Sequence, residues 1–145
     1  MKKVLILTVV LFGALFSDLS LVDKTQVSQQ TITVSGKFDA SVVKVLVNDS
    51  ELRLRDNNSL KFQLFFEKFG KNLITVKKIK NDNTVDEQRL RILYLKSFND
   101  VPANSLYSEL AALGYFSGYG DNTLRPNDIL TRGQAAIIVA KALNI

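Results

Sequence analysis

Any chemistry in this sequence falls to carboxylates, hydroxyls, lysines, arginines and tyrosines, because its 145 residues include no Cys and no His. That removes disulfides, Cys/His zinc sites, a Ser-His-Asp triad, a thiol nucleophile and an imidazole base. The catalytic arrangement still open is a carboxylate pair of the kind glycosidases use. The 14 Asp and Glu residues are scattered and sit mostly in turn-like clusters, which argues against such a pair and against an enzyme. Asp121, Asn122 and Asp128 are oxygen ligands in kind, but their spacing is not that of an EF-hand loop. They read as a solvated turn, so neither a metal nor a cofactor is expected. Lys77-Lys78-Ile79-Lys80 admits two readings. It is a patch for an anionic polymer, or it is a solvated or edge strand whose lysines block aggregation. The second is the plainer one.

Hydrophobic residues make up 46% and charged residues 23% of the chain, the balance of a folded globular protein. Lys and Arg number 19 against 14 Asp and Glu, a net charge of +5. The excess is local. Residues 27–96 carry 13 basic and 8 acidic side chains, whereas residues 97–145 carry 3 and 4. A composition break near residue 97 predicts two modules.

The N-terminus reads as an export signal helix, with an uncleaved N-terminal anchor or a buried apolar strand as the alternative. Met1-Lys2-Lys3 is a short positive segment, and Val4 to Phe16 then runs thirteen residues without a charge until Asp18. That length suits a signal-peptide core and falls short of the about 20 residues a spanning helix needs. Ser17 and Ser20 are the small residues nearest the end of the run, and no Cys is present for a lipid anchor. The leader is placed at 1–22, followed by a polar tether at 23–30. Once the signal is cleaved, no membrane contact is expected, and nucleic acid is not an expected partner of an exported chain.

Residues 31–96 read as a small β-sandwich. Thr31 to Ser35 is β-branched and closes at Gly36. Val42 to Val47 runs into the turn cluster Asn48-Asp49-Ser50. Glu51 to Arg55 alternates, with Leu52 and Leu54 inward and Arg53 and Arg55 outward. Leu60, Phe62, Leu64 and Phe66 alternate next, then Ile74 and Val76 within Asn72 to Ile79, then Leu90, Ile92 and Tyr94 within Arg89 to Leu95. Short alternating runs separated by turns every 8–12 residues indicate an all-β sandwich. The pattern resembles bacterial Ig-like modules at Thr33-Val34-Ser35-Gly36, at the Val47-Asn48 hairpin, at Leu60-Lys61-Phe62 and at Phe69 to Val76. That resemblance implies a spacer or a binding platform.

Residues 97–145 change character. Leu106, Leu110 and Leu113 recur at helical spacing, and Gly114 stops the helix. A compact loop follows from Tyr115 to Pro126. Gly118 and Gly120 are expected to permit positive φ, Asp121-Asn122 to turn the chain, and Pro126 to hold Arg125 extended. Thr131-Arg132-Gly133-Gln134 is a capping box opening a second helix, whose small apolar face is Ala135, Ala136, Ile138, Val139, Ala142 and Leu143.

These residues resemble the S-layer homology family. Its repeat opens with F-x-D-V, carries G-x-x-x-G-Y-G-D-x-x-F-x-P, and starts its second helix with T-R-A-E. The chain has Phe98-x-Asp100-Val101, then Gly114-x-x-x-Gly118-Tyr119-Gly120-Asp121, then Leu124-Arg125-Pro126, then Thr131-Arg132-Gly133-Gln134. Gln134 stands where the family has Glu. The resemblance implies a helix-loop-helix repeat that anchors exported proteins to an acidic, peptidoglycan-linked cell-wall polysaccharide. Arg132 then maps to the ligand-contacting position, Thr131 precedes it, and Asp100, Gly118 and Tyr119 map to groove-forming positions. A guanidinium offers a planar fork to a carboxylate, and the first turn of a helix favours anions. Asp100 has a second reading as a residue that caps the first helix or holds the loop, Tyr119 as core, and Arg132 as a structural tie.

The expected protein is therefore mainly β plus α: a signal, an Ig-like sandwich and one S-layer homology repeat. It is read as a non-catalytic, exported protein of the cell surface, cell wall or S-layer. The family sets repeats in tandem, with ligand grooves between neighbours. A lone repeat implies a homo-oligomer (a trimer completing the bundle), a truncated product, or weak binding. Two alternatives remain: a surface adaptor whose Ig-like module binds a glycan or protein, and a remnant of a larger S-layer-homology-anchored enzyme.

Overall fold

The computed structural model describes residues 19–145, and the apolar run Val4–Phe16, expected to be a signal core, lies outside the described residues. Seven strands precede two helices: β1 (Gln26–Val27), β2 (Thr31–Lys37), β3 (Val42–Val47), β4 (Ser50–Leu52), β5 (Ser59–Phe65), β6 (Gly70–Lys80), β7 (Val85–Tyr94), α1 (Leu106–Ala112) and α2 (Arg132–Leu143). One sheet has the order β1-β7-β6-β3-β4, and β2 pairs with β5 in a second. The described residues are thus mostly β-sheet with two helices, the content expected of a β-sandwich followed by helical structure.

The period-2 patterns place the cores. The strands contribute to two compact units that alternate along the sequence. In the first, which includes Thr33–Gln63 and Thr75–Gln88, Val34, Val45, Leu60 and Val76 are buried. In the second, comprising Asp23–Ile32, Leu64–Ile74 and Arg89–Ile145, Phe66, Leu90, Ile92, Leu95 and Phe98 are buried. Each such side chain contributes about 1.5–3 kcal/mol relative to exposure.

The β3–β4 hairpin follows from its turn. Asn48 and Asp49 adopt φ of 48° and 63°, which suits the tight two-residue turns whose twist matches antiparallel strands. Val45 then faces Leu52, and Val47 faces Ser50. Asn48 Oδ1 also accepts the Thr75 amide at 2.9 Å, locking the turn to β6. The alternation through Arg55 continues past the strand, which ends at Leu52.

Three expectations change. The lysine run does not guard an edge, because β6 lies between β7 and β3. Its lysines are half-buried, with Lys77 pairing with Asp49 at 2.6 Å and Lys80 with Asp86 at 2.9 Å. Within residues 23–30, read as a tether, β1 pairs in parallel with β7, matching Gln26 to Leu93 and Val27 to Tyr94. Asp23 secures that entry by accepting the Arg91 amide at 2.7 Å and bonding its guanidinium. That side-chain contact, followed by the backbone bond, holds the Asp23 carboxyl well below the usual carboxylate range. At the leader boundary, Leu19 bridges Gly36, and Leu19 and Leu21 are buried, so these residues belong to the folded body.

Candidate functional site

The second unit builds its site from a buried ring outward. Phe98 is buried and lies directly beneath Gly118. Gly118 has φ of 73°, and a Cβ there would stand 2.4 Å from Phe98 Cε1 and 2.8 Å from the Thr123 carbonyl. Only glycine meets both demands. Gly120 differs: it is not among the positive-φ residues, and a Cβ there meets nothing within 4 Å, so its expected role is not the one it plays.

Asp100 clamps the loop. Its Oδ1 accepts the Leu124 amide at 2.9 Å, and its Oδ2 accepts the Arg125 amide at 2.7 Å. These two backbone donors lower its carboxyl pKa from the ordinary value. Asn99 extends the clamp, with its amide donating to the Asn122 carbonyl at 3.0 Å. Asp100 is thus seated as a loop holder, both oxygens engaged by this chain.

Arg125 overturns its expected extended conformation. It has φ of 56°, in the left-handed region that a bulky residue enters only when its surroundings hold it. They do. Beyond the Asp100 contact, Nη2 bonds Asp121 Oδ2 at 2.7 Å, Nε bonds Thr123 Oγ1 at 3.2 Å, and the guanidinium lies 4.4 Å from the Tyr119 ring centre. Asp121 also accepts the Thr123 hydroxyl at 2.5 Å. That hydroxyl, then Arg125, pulls the Asp121 carboxyl down to about 2. Tyr119 is 42% exposed and carries the arginine on its face, a cation–π contact rather than core packing.

The two helices close the site. Ser105 caps α1 by accepting the Ser108 amide at 3.3 Å. The buried face of α1 is Ser108, Ala111 and Ala112, not the leucine stripe, and Leu106 is 67% exposed. Small residues face inward because backbone approaches there: a Cβ on Gly70 would stand 2.7 Å from the Ala112 carbonyl. Ser108 meets its polar need through its hydroxyl, which donates to the Pro102 carbonyl at 3.2 Å. Gly114, at φ of 87°, ends α1 as expected, with Tyr115 N–H donating to the Leu110 carbonyl. On α2 the capping box forms: the Gln134 amide donates to Thr131 Oγ1 at 3.2 Å, and the Thr131 amide donates to Gln134 Oε1 at 2.9 Å. The expected apolar face of α2 is not covered, for no residue of the helix is buried. Lys141 ties the helices by donating to the Gly114 carbonyl at 3.0 Å.

The candidate residues fall into two groups. Asp100, Gly118 and Tyr119 come together in the clamped loop. Thr131 and Arg132 open α2, where Thr131 is occupied as a cap. Arg132 is exposed, and its guanidinium has no hydrogen-bond or ion-pair partner among the described residues. Between the loop and the helices lies a groove of about 340 Å³. Gly118 and Tyr119 line it, and so do Tyr107, Arg125 and Lys141, which the sequence reading passed over. The local signal for Arg125 is its position four residues after Asp121, whereas nothing local marks Tyr107 or Lys141. Among the described residues no cluster of three or more Asp or Glu could hold a metal ion, and no helix is long and apolar enough to cross a membrane.

Residues 97–136 match the S-layer homology domain. The match marks a protein associated with the cell surface and its wall, and it covers the clamp, the loop and the first turn of α2. No curated protein matches the sequence. Among solved structures, the chain is similar to the crystal structure of CopC from Methylosinus trichosporium OB3b, at 12% identity and a TM-score of 0.41, over 54% of this chain and 89% of that one.

Proposed function

We propose that this chain is a non-catalytic, exported cell-envelope protein held to an acidic wall polysaccharide by residues 97–145, with the β-rich region 31–96 as an Ig-like spacer or platform. The match of residues 97–136 to the S-layer homology domain carries this reading. The local chemistry agrees with it. Arg132 is an unspent guanidinium in the first turn of α2, where the helix dipole also favours anions. The carboxylates of the loop are engaged in holding it, which suits a binding module better than a hydrolase. The uncovered apolar side chains of α2, including Ile137, Val139 and Leu143, motivate association of several chains, a trimer in the simplest case.

The test of the residue assignment is co-sedimentation of wild type and Arg132→Ala with purified sacculi. Loss of binding in the variant, with an unchanged unfolding midpoint, is the expected result. Equal binding of the two proteins would remove Arg132 from the contact.

A further inference from the structure

The groove beside the clamped loop has the make-up of a sugar subsite. Its volume of about 340 Å³ lies at the small end of ligand pockets, which span about 300–1,000 Å³. Tyr107 of α1 and Tyr119 of the loop both line it and are 44% and 42% exposed. Aromatic faces suit the C–H faces of a pyranose, and a tyrosine adds a hydroxyl for a polar rim. Three charged side chains line the same groove: Arg125, Lys141 and Asp128, a balance of one positive charge.

The two cations are set in place before any ligand arrives. Arg125 is fixed by Asp121, by Thr123 and by its seat on Tyr119, yet its Nη1 has no partner among the described residues. Lys141 spends one of its three donors on the Gly114 carbonyl. A guanidinium already immobilised loses little freedom on binding, which favours a short, directed contact to a carboxylate.

The geometry points to a subsite complete within one chain, in which a single carboxylated pyranose lies against Tyr107 and Tyr119 with its carboxylate between Arg125 and Lys141. The ligand class rests on the wall-polymer reading above; the place does not. Arg132 is not among the residues lining this groove. The subsite needs no neighbouring repeat, so a monomer binds, and association of chains adds avidity rather than creating the site.

The test titrates the full exported chain with D-glucuronate, and with D-glucose as the neutral control, following backbone amide resonances. Glucuronate is expected to shift signals at Gly118, Tyr119, Arg125 and Leu130. Glucose should bind about tenfold more weakly, as expected for loss of a charge-assisted contact. Lys141→Gln and Tyr107→Ala should each weaken glucuronate binding with little change in the unfolding midpoint. No shifts at tens of millimolar, or shifts mapping outside the groove, would overturn the subsite. Sedimentation with sacculi separates the two ideas. A wild type that ignores sacculi yet binds glucuronate in the groove refutes anchoring and retains the subsite. A wild type that sediments through the polymer, with both groove variants matching it, refutes the subsite and retains anchoring.

Discussion

Replacing Gly118 by alanine is the sharpest probe of the clamped loop. The added methyl group would lie 2.4 Å from the Phe98 ring and 2.8 Å from the Thr123 carbonyl, on a residue with φ of 73°. The left-handed conformation costs an alanine about 1–2 kcal/mol. Overpacking adds about 1–3 kcal/mol, and relief is scarce because Phe98 is buried and Thr123 contributes backbone. A total of about 3 kcal/mol lowers the unfolding midpoint by roughly 10 °C in a chain of this size. Gly120→Ala is the matched control two residues away, where the new methyl group meets nothing within 4 Å and φ is not positive. It should change stability by less than about 1 kcal/mol, in the stabilising direction if the unfolded chain loses freedom. Thermal unfolding of the three proteins by circular dichroism gives the comparison. Midpoints for Gly118→Ala and Gly120→Ala within a degree or two of each other would refute the geometry assigned to this loop.

Three further outcomes follow from the same contacts. Asp100 and Asp121 have folded pKa values below their ordinary 3.8, Asp121 at about 2. Between the folded and unfolded values the unfolded chain binds more protons, so their contribution is full above about pH 4 and is lost as pH falls toward 2; the melting temperature of Asp121→Asn should therefore fall less over that interval than wild type. On α1, Ala111→Leu should destabilise by about 1–3 kcal/mol, because its face is closely packed, whereas Leu106→Gln should stay within about 0.5 kcal/mol; denaturant titration of both variants checks this. Because Leu19 and Leu21 are buried and Leu19 pairs with Gly36, N-terminal sequencing of the chain recovered from the cell surface should find a first residue no later than Leu19, and a start after Leu21 would contradict the fold at that edge.

Much of this was legible in local patterns. The alternation of Leu60, Leu64 and Phe66, and of Leu90, Ile92 and Tyr94, reports burial directly because a strand repeats every two residues. The Thr131–Gln134 box and the Gly114 stop likewise read from a few neighbours. Features set by distant chain were not legible. That Lys77 to Lys80 occupies an interior strand depends on sheet order, which no local pattern states. The buried face of α1 is alanine and serine because Gly70 brings backbone against Ala112. Arg125 departs from the usual bias before proline because Asp100, Asp121, Thr123 and Tyr119 hold it from outside. The groove needs α1, the loop and α2 together, so Tyr107 and Lys141 carried no mark in the sequence.

Anchoring through the wall polymer can be read by sedimentation. The wild-type chain is mixed with purified sacculi before and after the secondary polymer is stripped, and both fractions are quantified after sedimentation. The protein is expected to pellet with intact sacculi and to stay in solution with stripped ones. Equal pelleting with both, or none with either at high protein concentration, would contradict anchoring through the wall polymer.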